Sequence, residues 1–247
     1  MHRLRPVYLL LVMAIVLLPV AIIYLLPNKS KAKLSNYLNK FLAHIFHFTI
    51  KVSGVASKNR PVLFVSNHIS YADILVLGAT LPGCFVSKAE VGNWPILGWI
   101  AKLNGTLFID RKKAAAGKHL EQIEEALFND NKNLIIFPEG TTGDGRQVLP
   151  FKSSLFKIAE NLPANKSLTI QPVTISYTHI NGLPVQENER KKIAWIGDAE
   201  FTPHFMDFVN LGMIRVTVTI HPPVEKWQDR KTLALECQQI VASALGN

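Results

Sequence analysis

The chain has 247 residues, a formal charge of +9, 48% hydrophobic and 18% charged residues, which excludes a disordered polymer and provides for one sizeable core. Fourteen Gly, fourteen Pro and two Cys exclude a collagen-like fibre, a disulfide scaffold and a Cys-based zinc module. A balance this basic leaves nucleic acid or an anionic membrane as the usual partners.

Residues 1–60 hold Arg3, Arg5, Lys29, Lys31, Lys33, Lys40, Lys51, Lys58 and Arg60 and no acid, so they carry the whole excess; 61–247 are neutral. Within them Val7–Leu26 (VYLLLVMAIVLLPVAIIYLL) runs 20 residues without a formal charge, a helix of about 30 Å that matches bilayer hydrocarbon. The favoured reading is a retained membrane anchor, spanning or re-entrant because Pro19 kinks it. A cleaved signal peptide and a buried core helix are the alternatives, the first lacking an A-x-A pattern in the following PNKSKAK. Residues 34–50 place Leu34, Leu38, Phe41, Leu42, Ile45 and Phe46 at helical spacing. They predict an amphipathic helix, lying on the bilayer or packed on the following domain. His44 and His47 have no neighbouring acid or Cys to complete a metal site and read as interfacial side chains. Four Lys soon after the apolar run against two Arg before it place the remainder of the chain on the cytoplasmic side. The expected organisation is thus a basic membrane-anchoring segment over 1–60 and a neutral domain over 61–247.

From Pro61 on, short apolar runs alternate with amphipathic stretches. Strands are predicted at 61–66, 84–87, 106–109, 134–137, 168–175, 193–196 and 214–220. Helices are predicted at 71–80, 94–102, 114–129, 153–161 and 228–245, with 204–213 as a further helix, membrane-touching or buried. The alternation implies an α/β domain with a largely parallel mixed sheet of about seven strands flanked by helices. Strand 214–220 alternates apolar with Arg and Thr and reads as an edge or half-exposed strand. The polar loop 181–192 reads as surface.

Three strand ends carry candidate chemistry, the place where α/β sheets bind ligands. SNHISYADI (66–74) follows an apolar strand and opens a helix. His68 and Asp73 pair only if His68 precedes that helix, since five residues of helix set them about 140° apart. A carboxylate on one imidazole nitrogen fixes the tautomer, leaving the other nitrogen free to take a proton from a hydroxyl. The alternative is simple capping by Asn67 or Ser70. GTLFIDR (105–111) ends in Arg111, whose planar fork suits a phosphate. FPEGTTGDG (137–145) holds Glu139 in a turn that frees backbone N–H groups, without the Gly-Lys-Ser/Thr ending of a nucleotide loop. No G-x-S-x-G elbow occurs, which disfavours a serine hydrolase. Cys84 and Cys237 read as packing residues.

NHISYAD (67–73), SKAEVGNWPILGWI (87–100), GTLFIDR, FPEGT and IQPV (170–173), in this order over about 60–225, resemble the glycerolipid acyltransferases, including the bacterial 1-acyl-glycerol-3-phosphate acyltransferases. The resemblance implies an enzyme with His68 as general base paired to Asp73, and acyl transfer without a covalent enzyme intermediate. Arg111 would grip the acceptor head group. Glu139, Gly140 and Thr141, with Asn67, would position the acceptor, Pro172 would shape the site, and Lys88 would add charge near the donor. No metal or resident cofactor is implied; acyl-CoA or acyl carrier protein is the co-substrate and a membrane lyso-lipid the acceptor. The expected product is phosphatidic acid, for phospholipid synthesis at a bacterial inner membrane. One departure stands out: many members acting on lysophosphatidic acid have Arg where this chain has Thr142, and the continuation GDGRQVLPFKSSLF resembles members acting on other lyso-lipids, among them lyso-ornithine lipid acyltransferases. Arg146 and Lys152 are the nearest substitutes for the charge. The rival readings are a metal-dependent phosphoesterase using His68, Asp73 and Glu139 as ligands, and a non-enzymatic membrane scaffold. A neutral 61–247 without a binding motif argues against nucleic acid.

Overall fold

The computed structural model describes residues 28–94, 97–110, 116–160, 162, 165–197 and 199–245. The apolar segment 7–26 lies outside the described residues; among them no helix is long and apolar enough to cross a membrane.

In chain order the elements are α1 (Asn28–Ile45), β1 (Phe48–Ser53), β2 (Val62–Ser66), α2 (Ala72–Thr80), β3 (Cys84–Lys88), α3 (Leu97–Leu103) and β4 (Leu107–Ile109). There follow α4 (Ala116–Glu124), running into a π turn at Glu125–Asn129, β5 (Leu134–Ile136), α5 (Lys157–Glu160), β6 (Thr169–Ile180) and β7 (Leu183–Pro184). The chain closes with α6 (Glu187–Ile193), α7 (Phe201–Val209), β8 (Ile214–Ile220) and α8 (Arg230–Ser243). The sheet order is β1-β8-β6-β2-β5-β3-β4, with β7 paired to β6. Among the described strand pairs β6–β8 and β6–β7 are antiparallel and the others parallel. The expected α/β class and mostly parallel mixed sheet flanked by helices are what is observed.

Period-two alternation divides the core. Val62 and Phe64 of β2, with Ile135 of β5, enter one apolar cluster that includes α2; Leu63 and Val65, with Leu134 and Ile136, enter the other, which includes α8. Because helices cover both faces, every residue of β2 is buried, the pattern of a central parallel strand.

Several predicted elements are corrected. The helix expected over 34–50 ends at Ile45; His47 takes φ +54 and Phe48–Ser53 becomes β1, parallel to β8. Thr49, Ile50 and Val52 are β-branched and suit the strand. The stripe of α1 (Leu38, Leu42) packs against Leu75 of α2 and Ile100 of α3, while Phe41 is exposed. Beneath it Asn39 Nδ2 donates to Asn104 Oδ1 at 2.7 Å, and Ser35 donates to the same oxygen. Strand 214–220 is correct in extent and half-buried, but it lies inside the sheet, between β1 and β6. No strand forms at 193–196. A capping box between Gln186 and Glu189 starts α6, which reaches Ile193, and so the loop expected over 181–192 contains β7 and most of a helix. The helix expected over 153–161 is a 3₁₀ turn (Ser153–Phe156) followed by α5.

The parallel register sets up the site. β2, β3, β4 and β5 end on the same edge of the sheet, so the segments after Ser66, Lys88, Ile109 and Ile136 emerge together. β6 pairs with β2 only as far as Ser66↔Val173 and continues to Ile180 beyond that edge.

Candidate active site

The helix after β2 starts late. Tyr71 is the N-cap of α2, so Asn67–Ser70 form an irregular turn and Asp73 sits in the first helical turn. This is the condition the sequence set for pairing, and it is met: His68 Nδ1 lies 2.8 Å from Asp73 Oδ2. The capping expected of Ser70 survives only as a long contact, its Oγ accepting the N–H of Ala72 at 3.4 Å, and the Asn67 amide goes to Ile175 rather than to the helix. Instead Asp73 Oδ2 accepts the N–H of Ile69 at 2.7 Å and of Ser70 at 3.0 Å, and Asp73 Oδ1 accepts the hydroxyl of Tyr177 at 2.7 Å. The carboxylate is fully buried, whereas the His68 side chain is 20% exposed. A carboxylate with this many donors requires His68 Nδ1 to carry the proton, which leaves Nε2 with its lone pair. Phe137 stacks on the imidazole, with centroids 4.0 Å apart and planes 12° apart. The ring is thus fixed in azimuth by Asp73 and in tilt by Phe137.

Glu139 is joined to the same turn from β5. Its Oε1 accepts the backbone N–H of His68 at 2.9 Å and its Oε2 that of Leu149 at 3.2 Å. Burial pushes its pKa up to about 7 from 4.5, opposed by these two N–H donors and reinforced by the charge of Asp73. A carboxyl raised on folding stabilises the native state fully below its unfolded pKa, and loses that contribution as pH rises through its folded pKa. In thermal or chemical denaturation, the stability of wild type relative to Glu139→Gln is therefore expected to fall by roughly 1–3 kcal/mol between pH 5 and pH 8. A difference independent of pH would refute the burial argument.

The other predicted residues fall as follows. Asn67 is buried, and its amide is taken up by the sheet: Oδ1 accepts Ile175 N–H at 2.9 Å and Nδ2 donates to Ile175 O at 3.0 Å. It extends the β2–β6 ladder by one rung and does not present its amide to a substrate. Pro172 is buried in β6 opposite Val65, and its carbonyl accepts His221 N–H. Lys88 is exposed at the end of β3, paired with Ile109 at the end of β4. Arg111, two residues further on, lies outside the described residues. Gly140 takes φ +72 in the turn after Glu139, a conformation that glycine adopts without strain. Thr141 beside it is exposed. Thr142 donates its hydroxyl to the Trp195 carbonyl, and Gly143 N–H donates to His68 O at 2.8 Å. Thus the third motif closes over the first.

Sequence reasoning missed Tyr177, Phe137 and Trp195. Tyr177 was within reach of it, because Val173, Ile175 and Tyr177 continue one alternation past the expected strand end at 175. Trp195 donates its backbone N–H to Ile69 O at 3.0 Å, and its ring contacts Tyr71 and Trp94 edge-on. Nothing in its local sequence points to the turn. Among the described residues no group of three His, Cys, Asp or Glu side chains is placed to hold a metal ion.

Comparison with known proteins identifies the family and the fold. A family model described as "Acyltransferase" matches residues 48–176. The chain is 35% identical to a lyso-ornithine lipid O-acyltransferase of Brucella abortus, over 93% of this chain and 88% of that protein. It is 37% identical to a 1-acyl-sn-glycerol-3-phosphate acyltransferase of Neisseria gonorrhoeae, over 40% of this chain and 38% of that one. Its fold is similar to the crystal structure of the 1-acyl-sn-glycerophosphate acyltransferase PlsC of Thermotoga maritima. The TM-score is 0.66 at 19% identity, over 99% of this chain and 96% of that one.

Proposed function

The chain belongs to the acyltransferase family, and from that premise we propose that it transfers a fatty acyl group from a thioester to the free hydroxyl of lyso-ornithine lipid. The donor in this reading is acyl-CoA or acyl carrier protein. The observation that carries the chemistry is the His68–Asp73 pair at 2.8 Å. His68 Nε2 takes the proton of the acceptor hydroxyl as its oxygen attacks the thioester carbonyl. The C–O bond forms, the tetrahedral intermediate collapses with loss of the C–S bond, and the departing thiolate takes the proton from the imidazolium. Asp73 stabilises that imidazolium while it exists. No acyl-enzyme is formed.

The acceptor is argued from coverage and from Thr142. The lyso-ornithine relative aligns over nearly its whole length, the phosphate-acceptor relative over a little more than a third. Thr142 occupies the place of the Arg found in lysophosphatidic acid-acylating members, and its hydroxyl serves the loop instead. This reverses the order of acceptors expected from the motifs, where 1-acyl-glycerol-3-phosphate stood first; it remains the second reading, with phosphatidic acid as product. The basic segment 1–60 supports a membrane-bound enzyme acting at the cytoplasmic face, where an anionic leaflet attracts Lys and Arg.

The test is a side-by-side assay of the full chain with one labelled acyl-CoA. The expected kcat/KM for lyso-ornithine lipid exceeds that for 1-acyl-glycerol-3-phosphate by about tenfold or more, a difference of about 1.4 kcal/mol in transition-state binding. The opposite preference would install the second reading, and acylation of neither lipid would reject the lyso-lipid function.

A further inference from the structure

Thr142 leaves the third motif without a guanidinium, and two basic side chains follow it in the loop. Arg146 pairs with Glu187, and its Nε lies 3.8 Å from Asp144 Oδ2. Two carboxylates therefore offset its charge. Lys152 is different. Its ammonium forms no ion pair or hydrogen bond among the described residues. Its backbone N–H donates to Pro138 O at 2.9 Å, which folds residue 152 back onto the turn that carries Glu139 and Gly140.

The side chain then lies across Gly140. A Cβ built there would stand 2.6 Å from Lys152 Nζ and 3.2 Å from its Cδ and Cε. The missing side chain at position 140 leaves the space in which the ammonium rests against the turn. The next two backbone N–H groups, of Thr141 and Thr142, donate to no group among the described residues, whereas that of Gly143 is taken by His68 O. Consecutive N–H groups beside a left-handed residue form a concavity for an anionic oxygen. The nearby carboxylate of Glu139 is engaged by its own donors, His68 N and Leu149 N.

We propose that Lys152, with the N–H groups of Thr141 and Thr142, is an oxyanion subsite that binds the charged end of the acceptor head group and sets acceptor specificity. The inference rests on the lyso-lipid reading above. An ornithine head group offers a carboxylate and a glycerophosphate offers a phosphate; the shared ligand is an oxyanion on a lipid whose hydroxyl reaches His68.

The test uses initial rates of the full chain with one acyl donor and each acceptor in turn. Lys152→Met is expected to raise the acceptor KM by about tenfold or more, the worth of one charge-assisted hydrogen bond, with kcat and the donor KM within about twofold. Lys152→Arg keeps the charge and restores the acceptor KM. Arg146→Met, already offset by carboxylates, leaves it unchanged. A rise for lyso-ornithine lipid alone assigns the subsite to a carboxylate, and a rise for 1-acyl-glycerol-3-phosphate alone assigns it to a phosphate. An unchanged acceptor KM in Lys152→Met overturns the proposal, as does a loss confined to kcat.

A second measurement does not depend on turnover. Acetylation of lysines by an activated ester is followed by mass spectrometry with and without saturating lyso-lipid. Protection is expected at Lys152 and not at Lys132, which precedes β5 at the opposite end of the sheet. Protection without turnover would reject the acyltransfer reading and keep the subsite; turnover without protection or KM change would do the reverse.

Discussion

Replacing His68 by Ala is expected to lower acyl transfer by about 10³-fold or more while leaving the fold in place. The imidazole is the one partly exposed member of the constellation, and its Nδ1 is committed to Asp73. Nε2 is therefore the basic atom available to an acceptor hydroxyl. Loss of a positioned general base costs about 10²–10⁴-fold in rate. Attack of the acceptor hydroxyl on a thioester has no other base in this turn to call on, because Asp73 is fully buried and Glu139 is bound to backbone N–H groups. The turn itself is kept: the N–H of residue 68 that bonds Glu139 and the carbonyl that accepts from Gly143 are main-chain groups, which Ala retains, and Asp73 keeps its bonds from Ile69, Ser70 and Tyr177. What is lost is the stacking on Phe137, worth about 1 kcal/mol, and the Nδ1 bond to Asp73, worth about 1.5–3 kcal/mol. Transfer of labelled acyl chain and a thermal melt, measured on the same preparation, separate the two effects. Activity within about tenfold of wild type would rule out base catalysis by His68.

How much of this was legible depended on distance along the chain. The pairing of His68 with Asp73 is local, and five residues with a helix start between them suffice to pose it. The carboxyl edge of the sheet could be named as the site because each motif follows an apolar strand. What could not be read is which groups close the turn from afar. Glu139 lies 71 residues from His68 and Tyr177 lies 104 residues from Asp73; their partners are set by β5 and β6 flanking β2, an order that composition does not encode. Element boundaries failed where one period passes into another. Leu42, Ile45 and Phe46 continue a helical stripe directly into Phe48, Ile50 and Val52, and only the left-handed turn at His47 divides them. The run 193–196 is apolar but too short to choose between strand and helix end, and the capping box at Gln186 decides it.

Asp73→Asn is the sharpest test of what the buried carboxylate contributes, because it removes charge with almost no change of shape. Oδ2 accepts from His68 Nδ1, Ile69 N and Ser70 N, and Oδ1 accepts from Tyr177. An amide oxygen placed at Oδ2 keeps three of these donors. The amide NH₂ then faces Tyr177, whose hydroxyl oxygen can accept where it formerly donated. The turn and the His68 tautomer survive, so the melting temperature is expected to change little. The imidazolium formed during proton transfer, however, loses its counter-charge, which only the fully buried Asp73 carboxylate supplied at hydrogen-bond distance. The expected result is a fall in kcat of about 10²–10³-fold with the acceptor KM nearly unchanged. Asp73→Ala should behave differently. It strands the N–H groups of Ile69 and Ser70 and the hydroxyl of Tyr177, at about 1–3 kcal/mol each, so the protein should melt earlier as well as turn over slowly. Tyr177→Phe removes one donor to the carboxylate and no charge, and its cost in kcat should be nearer tenfold, about the worth of one charge-assisted hydrogen bond. If Asp73→Asn turned over at close to the wild-type rate, the carboxylate would be a brace for the turn and no more. Ala well above Asn in loss of stability, set against Asn above Phe in loss of kcat, is what a charge acting through His68 requires.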